Sequence, residues 1–512
     1  MQKDRATQTK TCLQDYLKQM LYIPTNESYQ SRYNKQYRIN QRIRNDLSVS
    51  TGLEAYESES KLHCNVSLYD LVSAIPSPCY VLYYDALEFN LKLLHEIAHA
   101  SDCKILVALK GYSFWREFDS VCKYLHGATC SGAWEARLAY EEIIKRQEQC
   151  RQEVESFDKN STHIGSKDYY SVKDICVFSP AYKESQMQEI LEYATHIIFN
   201  SFGQWHRFKP MIDSKNRHLL KENKKKIEIG LRINPLYSEV QPPIYNPCVS
   251  KSRLGIIPSE FYKDIESYAS LYGYATIQDF FAAEFNGLHF HTHCEQDSEA
   301  LARTLPHVIR YFDSFIKLSS WINFGGGHHI TREDYNCDLL ISLIKNFKNQ
   351  YHNIEIFLEP GEAVGWQCGD LIGTVVDIIH NEGNIAILDI SASCHTPDCL
   401  EMPYRPMCYK ISYQKSTLSP TLHIESDLGA NKGKYSYRFG GPTCLAGDII
   451  GDYSFDTELH IGDRVALCDM MHYTIVKNTT FNGIELPKLG VIKEDKFTLL
   501  KDFNYRHFKD RN

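Results

Sequence analysis

The sequence lacks the paired cysteines and long apolar runs that mark several large protein classes. Its 17 cysteines are scattered, odd in number and never spaced as CxxC, so the sequence predicts neither a disulfide framework nor a zinc ribbon. Its apolar runs are shorter than the roughly 18 residues of a membrane span, and its N-terminus has no apolar signal-peptide core. We therefore expect a cytoplasmic protein in a reducing compartment, with no membrane partner.

The sequence also lacks a strong excess of positive charge. Its formal net charge is -8, and the one dense basic run, KENKKK at residues 221–226, lies in polar surroundings. A solvated loop explains that run better than a phosphate-binding face does. We therefore expect no nucleic-acid partner, and 512 residues are enough for two or more domains.

Short apolar runs alternate with amphipathic helical segments through the middle of the chain. About eight such β–α units follow residue 85, a count typical of a (β/α)8 barrel. After residue 362 the apolar runs continue without helices between them, which predicts an all-β domain. The strand CYVLYY precedes the barrel and resembles these later strands, so we expect it to join their sheet. The expected α/β architecture has an N-terminal extension, a strand of the β domain, the barrel and the β domain over residues 1–70, 71–84, 85–362 and 363–512.

Lys110 ends the buried strand of the stretch ILVALKGYSFW, residues 105–115. A lysine at a strand end often marks only the point where the chain meets water. At the carboxyl end of a barrel strand, however, it lies where βα loops form active sites, and partial desolvation favours a nucleophilic amine. The other motifs must decide between these readings.

Two further strand ends carry suitable chemistry. FGGGHH places Gly325, Gly326 and Gly327 directly after an apolar strand, where backbone amides can bind an anion, although glycines also form simple turns. FLEPGE places Glu359 at the end of another strand, where it could cap the next segment or bind the ring nitrogen of a cofactor. An amine, a phosphate loop and a carboxylate together match pyridoxal phosphate.

The histidines of HFHTHCE, residues 289–295, first suggest a metal site. Their alternation predicts that His289, His291 and His293 share one face of a strand. No independent cysteine or aspartate cluster completes a zinc set. We therefore expect no metal, and rank a stacking or hydrogen-bonding histidine above a ligand.

Longer motifs carry a specific family resemblance. Blocks such as ALKGYSFW, GATCSGAWEARLAYEE, GLHFHTHCE, SWINFGGGHHITREDY, LEPGEA, LDISASCHTPDCLEMPYRP, GGPTCLAGDIIGDY and MHYTIVKNTTFNG run in order between residues 78 and 483. They resemble the fold type III pyridoxal-phosphate enzymes of the alanine racemase and ornithine decarboxylase superfamily. Within that superfamily they resemble the carboxynorspermidine/carboxyspermidine decarboxylases.

The resemblance implies roles for individual residues. Lys110 would form the Schiff base with the cofactor, Glu359 would hold its ring nitrogen protonated, and Cys444 would cross a homodimer interface to protonate the carbanion. For Cys444 the competing interpretation is inert packing, which is common for cysteine. The implied cofactor-binding residues are Lys110, Arg232, His291, Gly325, Gly326, Gly327, Glu359 and Tyr473.

The resemblance also implies a polyamine substrate. Ornithine- and diaminopimelate-type enzymes typically carry arginine after EPG, where this chain has Glu362, which suits an ammonium group better than a second carboxylate. Asp398 is the second carboxylate implied to bind substrate amines, with Glu401 a weaker candidate. The expected reaction is decarboxylation of carboxynorspermidine or carboxyspermidine. The alternatives are another basic amino-acid decarboxylase on the same fold and a non-catalytic regulatory paralogue.

Overall fold

The structure is a computed structural model that describes residues 68–146, 173–352, 354–414 and 421–512. The described residues form two compact units. One unit comprises residues 90–364, and the other comprises residues 68–89 together with 365–512. Residues 1–67 of the expected N-terminal extension, and residues 147–172 within the range expected for the barrel, lie outside the described residues.

The described chain begins with two helices that flank the first strand. Helix α1 spans Leu68–Ala74, strand β1 spans Cys79–Tyr83 and helix α2 spans Tyr84–Ser101. The buried Arg464 holds the end of α1, because its guanidinium donates hydrogen bonds of 2.7 and 2.6 Å to the carbonyls of Val72 and Ile75. The strand expected within residues 71–84 therefore occupies only the second part of that range.

The barrel unit contains a parallel sheet that closes on itself. Its strands β2 to β10 span Lys104–Ile105, Val107–Ala108, Gly127–Cys130, Asp174–Phe178, His196–Phe199, Glu228–Arg232, Gly287–His289, Trp321–Asn323 and Glu355–Leu358. The first two are halves of one broken strand, since β2 pairs with β10 and β3 pairs with β4. Backbone hydrogen bonds from Leu106 to Leu358 and from Leu109 to Thr129 complete the ring. The result is the eight-stranded barrel that the sequence predicts.

Helices separate most of the barrel strands. Several begin at a side-chain cap: Ser201, Asp297 and Asn336 each accept a hydrogen bond from a backbone amide of the first helical turn. The described helices α3 to α11 span Phe118–Tyr124, Ala133–Ala139, Glu184–Tyr193, Phe202–Lys221, Pro258–Leu271, Ile277–Glu284, Ser298–Ile316, Cys337–Gln350 and Glu362–Gly365. No described helix is both long enough and apolar enough to cross a bilayer.

Trp321 fills the inside of the barrel. It is buried together with Leu106, Cys176, Ile198 and Phe357. A Cβ atom at Gly230 or Gly287 would lie only 2.3 or 2.2 Å from its indole ring. Glycine at these two strand positions therefore leaves the space that the tryptophan occupies.

Polar groups cluster at the amino ends of the barrel strands. Lys104 Nζ lies 2.7 Å from Asp174 and 2.8 Å from Glu355, so it links three strands. The opposite, carboxyl ends of the strands carry the residues predicted for the active site. This separation is typical of barrel enzymes, in which the amino end stabilises the fold.

The second unit is built mainly on antiparallel strands. Strands β11 to β19 span Gly369–His380, Asn384–Leu388, Cys408–Gln414, Thr421–Ser426, Tyr435–Gly440, Ile449–Phe455, Arg464–Leu467, Lys488–Lys493 and Lys496–Lys501. Parallel pairings occur between β1 and β18 and between β12 and β15. Strand β1 lies between β11 and β18, with Val81 opposite Asp370 and Gly490. The N-terminal strand therefore joins the C-terminal sheet, and the predicted fold class is confirmed. Short helices α12 to α14 span Ala392–His395, Asp398–Glu401 and Tyr505–Lys509.

Candidate active site

Lys110 lies just beyond the broken first strand of the barrel. Its side chain is exposed, yet desolvation by the surrounding protein lowers its pKa from the ordinary value, and the nearby Arg232 lowers it further, against the opposing effect of Glu359. The amine therefore stands in an open recess rather than on a convex surface. A lowered pKa increases the fraction of neutral, nucleophilic amine at neutral pH.

Glu359 is a buried carboxylate at the end of β10. Asn323 Nδ2 donates a 2.7 Å hydrogen bond to its Oε1, and His289 Nε2 lies 3.4 Å from its Oε2. Burial alone would raise the pKa of Glu359, but interactions with His289, Asn323 and Thr129 outweigh it and lower that pKa to about 2. The carboxylate is therefore ionised at neutral pH, as a partner for a protonated ring nitrogen must be.

His291 and Arg232 are held together beside this carboxylate. Arg232 is buried, donates a 3.2 Å hydrogen bond to the carbonyl of His291, and its guanidinium lies 4.4 Å from the ring centre of Phe178. His291 Nδ1 accepts a 3.1 Å hydrogen bond from the amide of Gly326. Arg232 therefore fixes the backbone that carries the imidazole.

The glycine loop after β9 packs tightly against the segment that follows β8. Strand β8 ends at His289, so His291 and His293 lie beyond the strand that was predicted to carry all three histidines. Gly325 and Gly327 have φ values of 74° and 79°, and a Cβ at Gly327 would lie 2.1 Å from the carbonyl oxygen of His293. The amides of Gly325 and Gly326 donate to Asn323 and His291. These glycines are thus required by close packing as well as by turn conformation.

Glu362 lies in the same unit, four residues after the end of β10. It begins helix α11, directly after the Pro-Gly pair at residues 360–361. His329 Nε2 lies 3.4 Å from its Oε1. Burial raises the pKa of the partly buried Cys294 to about 12. The charge of Glu362 also raises this pKa, whereas the charge of Lys110 lowers it. Glu362 and Lys110 therefore both act electrostatically on the same thiol, that of Cys294.

Four other predicted residues belong to the β unit. Asp398 and Glu401 both contact Lys477, whose Nζ binds Asp398 closely and lies 2.9 Å from Glu401. This cation is not among the predicted site residues. The two carboxylates predicted to bind substrate amines thus already share an ammonium group.

Tyr473 is the central residue of a tight turn in the same unit. Its φ and ψ are 44° and -61°, and the amide of Thr474 donates to the carbonyl of His472. Such three-residue turns with positive φ are rare and strained, and strain in proteins concentrates at functional sites. His472 precedes Tyr473 in the chain, and its Nε2 lies 3.2 Å from Oδ1 of Asp469, a contact that holds the imidazole in place.

Cys444 is exposed on a loop that other residues hold firmly. Its amide donates a 2.8 Å hydrogen bond to Asn482. The buried Asp448 accepts hydrogen bonds from Thr443 and from Ser391 at the start of α12. The thiol is therefore presented to solvent by a well-anchored loop.

Sequence reasoning missed several residues that complete these arrangements. Asn323 was quoted in its motif but not singled out, although a polar side chain in a buried strand is a usable signal. Glu135 was missed as well: its Oε2 accepts a 2.6 Å hydrogen bond from the amide of Ser131, and its charge acts on Lys110. Lys477 gave no local signal, because its partners Asp398 and Glu401 lie tens of residues away, and the same holds for the contact of Asp448 with Ser391.

The barrel residues fit pyridoxal phosphate on three counts. The recess presents an amine with a lowered pKa at Lys110, an ionised buried carboxylate at Glu359, and a glycine loop that a larger residue would displace. These groups match the aldehyde, the ring nitrogen and the phosphate of that cofactor.

Comparisons with known proteins agree with this chemistry. Residues 68–471 match the family model described as "Pyridoxal-dependent decarboxylase, C-terminal sheet domain". The chain is 38% identical over 439 residues to the carboxynorspermidine/carboxyspermidine decarboxylase of Campylobacter jejuni, covering 86% of this chain and 99% of the relative. It is 35% identical over 442 residues to the carboxyaminopropylagmatine decarboxylase of a Synechocystis species, covering 86% and 96%.

A solved structure gives the same result. The crystal structure of carboxynorspermidine decarboxylase complexed with norspermidine, from Campylobacter jejuni, matches with a TM-score of 0.66 and 37% identity, covering 86% of this chain and all of that one. The resemblance indicated by the sequence motifs is confirmed. The chain belongs to the family of pyridoxal-dependent decarboxylases, and its cofactor is pyridoxal phosphate.

Proposed function

We propose that the protein removes the α-carboxylate of carboxynorspermidine, carboxyspermidine or both, and releases norspermidine or spermidine. The observation that carries this proposal is the joint presence in one barrel of the Lys110 amine and the ionised, buried Glu359. The names of the relatives supply the substrate class. Polyamine biosynthesis is the corresponding biological role.

The cofactor residues act as a set in this proposal. Lys110 provides the amine that holds the cofactor, Glu359 keeps its ring nitrogen protonated, and His291 stacks on the ring. Gly325, Gly326, Gly327 and Tyr473 bind the phosphate, and Arg232 supports His291. Because the amides of Gly325 and Gly326 already have acceptors, we assign most of the loop's phosphate contact to Gly327. The bound cofactor supplies an electron sink for the pair released when carbon dioxide leaves.

Carboxylates select the cationic tail of the substrate. Glu362 acts electrostatically on Cys294, as Lys110 does, and we assign it to a substrate ammonium group. Asp398, and more weakly Glu401, bind a second one. Lys477 already contacts both carboxylates, so we infer that substrate binding competes with this ion pair or extends it.

A thiol returns the proton. In the reaction the bond between Cα and the carboxylate breaks, its electron pair stays with the substrate, and Cα then takes a proton from Sγ of Cys444. The thiolate recovers a proton from solvent. Cys444 is exposed, and so is the adjacent apolar residue Leu445. The amide of Cys444 also donates a hydrogen bond to Asn482, whose neighbour Phe481 is another exposed apolar residue. We therefore propose a homodimer in which Cys444 of the partner subunit completes each site.

A second substrate deserves testing because of the Synechocystis relative. The agmatine part of carboxyaminopropylagmatine ends in a guanidinium group, which carboxylates bind as readily as an ammonium group. The same acidic residues could therefore hold either tail. Steric space around Glu362 and Asp398 would decide between them.

The cysteines suggest where the enzyme works. Cys79, Cys103 and Cys130 are buried free thiols, and burial raises the pKa of each. Such thiols persist without disulfides in a reducing compartment. We accordingly place the enzyme in the cytoplasm.

The direct test compares kcat/KM for carboxynorspermidine, carboxyspermidine, carboxyaminopropylagmatine, ornithine and diaminopimelate. The proposal expects one or both carboxylated triamines to exceed ornithine and diaminopimelate by at least about 100-fold, since these two amino acids lack one of the ammonium groups that Glu362 and Asp398 are proposed to bind. A preference for carboxyaminopropylagmatine would select the second candidate. No turnover of any of them by cofactor-loaded protein would revive a non-catalytic role.

A further inference from the structure

The strongest unassigned chemistry lies at the carboxyl end of β8 and just beyond it. His289, His291 and Glu359 each offer one donor atom, and these atoms all lie within 4.8 Å of one another. They form the one group of this kind among the described residues. Two imidazoles and a carboxylate are a common protein ligand set for a divalent transition metal.

One edge of this group already has the dimensions of a metal site. His289 Nε2 and Glu359 Oε2 are 3.4 Å apart. Two ligands bound at about 2.1 Å to a tetrahedral zinc ion are separated by about 3.4 Å. That separation is longer than usual for a hydrogen bond between nitrogen and oxygen, so the pair is spaced for an ion between its atoms.

His289 has coordination capacity to spare. Its side chain is 1% exposed, its Nδ1 has no hydrogen-bond partner within the described part of the chain, and its Nε2 meets only the carboxylate of Glu359, at 3.4 Å. A buried, unpaired imidazole is costly. Coordination through Nε2 would satisfy that nitrogen in a pocket that side chains have already shaped.

His291 and Lys110 set the cost of such binding. His291 accepts the amide of Gly326 at Nδ1, so its neutral ring carries a proton on Nε2, and coordination through either nitrogen breaks that hydrogen bond. The ammonium form of Lys110 acts electrostatically on His291 and opposes a nearby cation. Metal binding is therefore expected to loosen the glycine loop and to strengthen when Lys110 is removed.

We propose that, without its cofactor, the protein binds one divalent transition-metal ion, such as Zn²⁺, through His289, His291 and Glu359, and that this ion and pyridoxal phosphate exclude each other. The exclusion follows because Glu359 and His291 serve the cofactor when it is bound. Mg²⁺ and Ca²⁺, which prefer oxygen ligands, should not compete. The ion would act as an inhibitor of cofactor loading.

The test uses the full-length chain stripped of cofactor, with circular dichroism to verify its fold. Titration with Co²⁺ should give one equivalent of a visible ligand-field absorbance, which Zn²⁺ displaces and pyridoxal phosphate abolishes. Zn²⁺ added first should slow cofactor loading, measured by the absorbance of the lysine-bound cofactor. This readout does not depend on the substrate, so the proposal can fail while the decarboxylase activity stands.

Variants locate the ion. His289→Gln should weaken Co²⁺ binding by at least about 100-fold, since a lost direct ligand should cost at least as much as a lost outer partner, and Lys110→Ala should strengthen it. His218→Gln is the matched control, because it removes an exposed histidine that lies 2.9 Å from the carboxylate of Glu222. If His289→Gln does not fold, His291→Gln takes its place.

Three results would overturn the proposal. The first is the absence of cobalt absorbance in folded, cofactor-free protein. The second is absorbance that survives unchanged in His289→Gln or His291→Gln. The third is an intense near-ultraviolet charge-transfer band that assigns the ion to cysteine thiolates. Simultaneous binding of the metal and the cofactor would likewise refute the exclusion.

Discussion

Asn323 donates a 2.7 Å hydrogen bond from Nδ2 to Oε1 of Glu359, and both side chains are buried. Asn323 Oδ1 in turn accepts the amide of Gly325. One amide side chain thus ties the carboxylate proposed for the cofactor ring to the loop proposed for its phosphate. The consequences of this arrangement can be measured.

Replacing Glu359 by glutamine should slow decarboxylation by about 100-fold or more while cofactor remains bound. An amide cannot stabilise a protonated ring nitrogen as an ionised carboxylate does. Single-turnover kinetics and the bound-cofactor absorbance separate the two effects. Unchanged turnover would remove Glu359 from the mechanism.

Replacing Lys110 by alanine should abolish the absorbance of the lysine-bound cofactor and nearly all turnover. We propose it as the nucleophile because of its lowered pKa and its place at a barrel strand end. The nearby Lys104, paired with Asp174 and Glu355 at the amino ends of the strands, provides a control: Lys104→Met should lower stability but keep the absorbance. Retention of that absorbance by the Lys110 variant would refute the assignment.

Replacing Gly327 by alanine should weaken cofactor binding. The added Cβ would lie 2.1 Å from the carbonyl oxygen of His293 and would force the loop away from the segment that follows β8. Gly273→Ala is a matched control, since Gly273 has a similar φ of 77° but open space around it. Cofactor titration should therefore show a loss of affinity for the first variant alone, and equal affinities would contradict the steric account.

Stability should fall as pH rises from about 4 to about 7 because of Asp370. Burial raises the pKa of this carboxyl from 3.8 to about 7, despite hydrogen bonds from Tyr83 and the amide of Asp469. Asp370 loses its proton at a lower pH in the unfolded chain than in the folded chain. Its contribution to the free energy of unfolding is therefore fully present below about pH 4, and up to about 4 kcal/mol of it is lost by pH 7.

Thermal unfolding across this range tests that effect. The stability of Asp370→Asn relative to wild type should increase between pH 4 and 7 and then level off. The exposed Asp377 on the same strand gives the control Asp377→Asn, which should show no such trend. A difference independent of pH would contradict the raised pKa.

Mixing inactive variants tests the shared site. Lys110→Ala and Cys444→Ala chains should each be nearly inactive, yet complete subunit exchange should restore roughly a quarter of wild-type activity, because half of the dimers then carry one intact site. Mixing Lys110→Ala with Glu359→Gln should restore nothing, because each site takes Lys110 and Glu359 from the same barrel and every site in the mixture then lacks one of them. No rescue in the first mixture would mean that Cys444 serves its own chain or that the protein acts as a monomer.

The fold was largely predictable because its signals are local. Most apolar runs that end in glycine, proline or a polar residue form strands, although the run YTIVKN at residues 473–478 forms a 3-10 helix over Thr474–Lys477 instead. The resemblance of CYVLYY to the later strands correctly predicted that Cys79–Tyr83 joins the C-terminal sheet. The break of the first barrel strand at Leu106 was not predictable. It arises because the two halves pair with different neighbours, β10 and β4.

The site was predictable where a residue ends a strand and less so where its partner is distant. Lys110, Glu359 and the glycines are predicted from such positions. The contact of Lys477 with Asp398 spans 79 residues, and the strained turn at Tyr473 depends on backbone geometry. Neither leaves a mark in the local sequence pattern.

The most direct test of the proposed function is product analysis by mass spectrometry after incubation of cofactor-loaded enzyme with carboxynorspermidine and carboxyspermidine in deuterium oxide. The proposed function predicts the corresponding triamine, without its carboxylate and with one solvent deuterium retained on the former Cα, from the wild type but not from Lys110→Ala. Recovery of substrate with its carboxylate intact, whether unchanged or with deuterium exchanged at Cα, would contradict it.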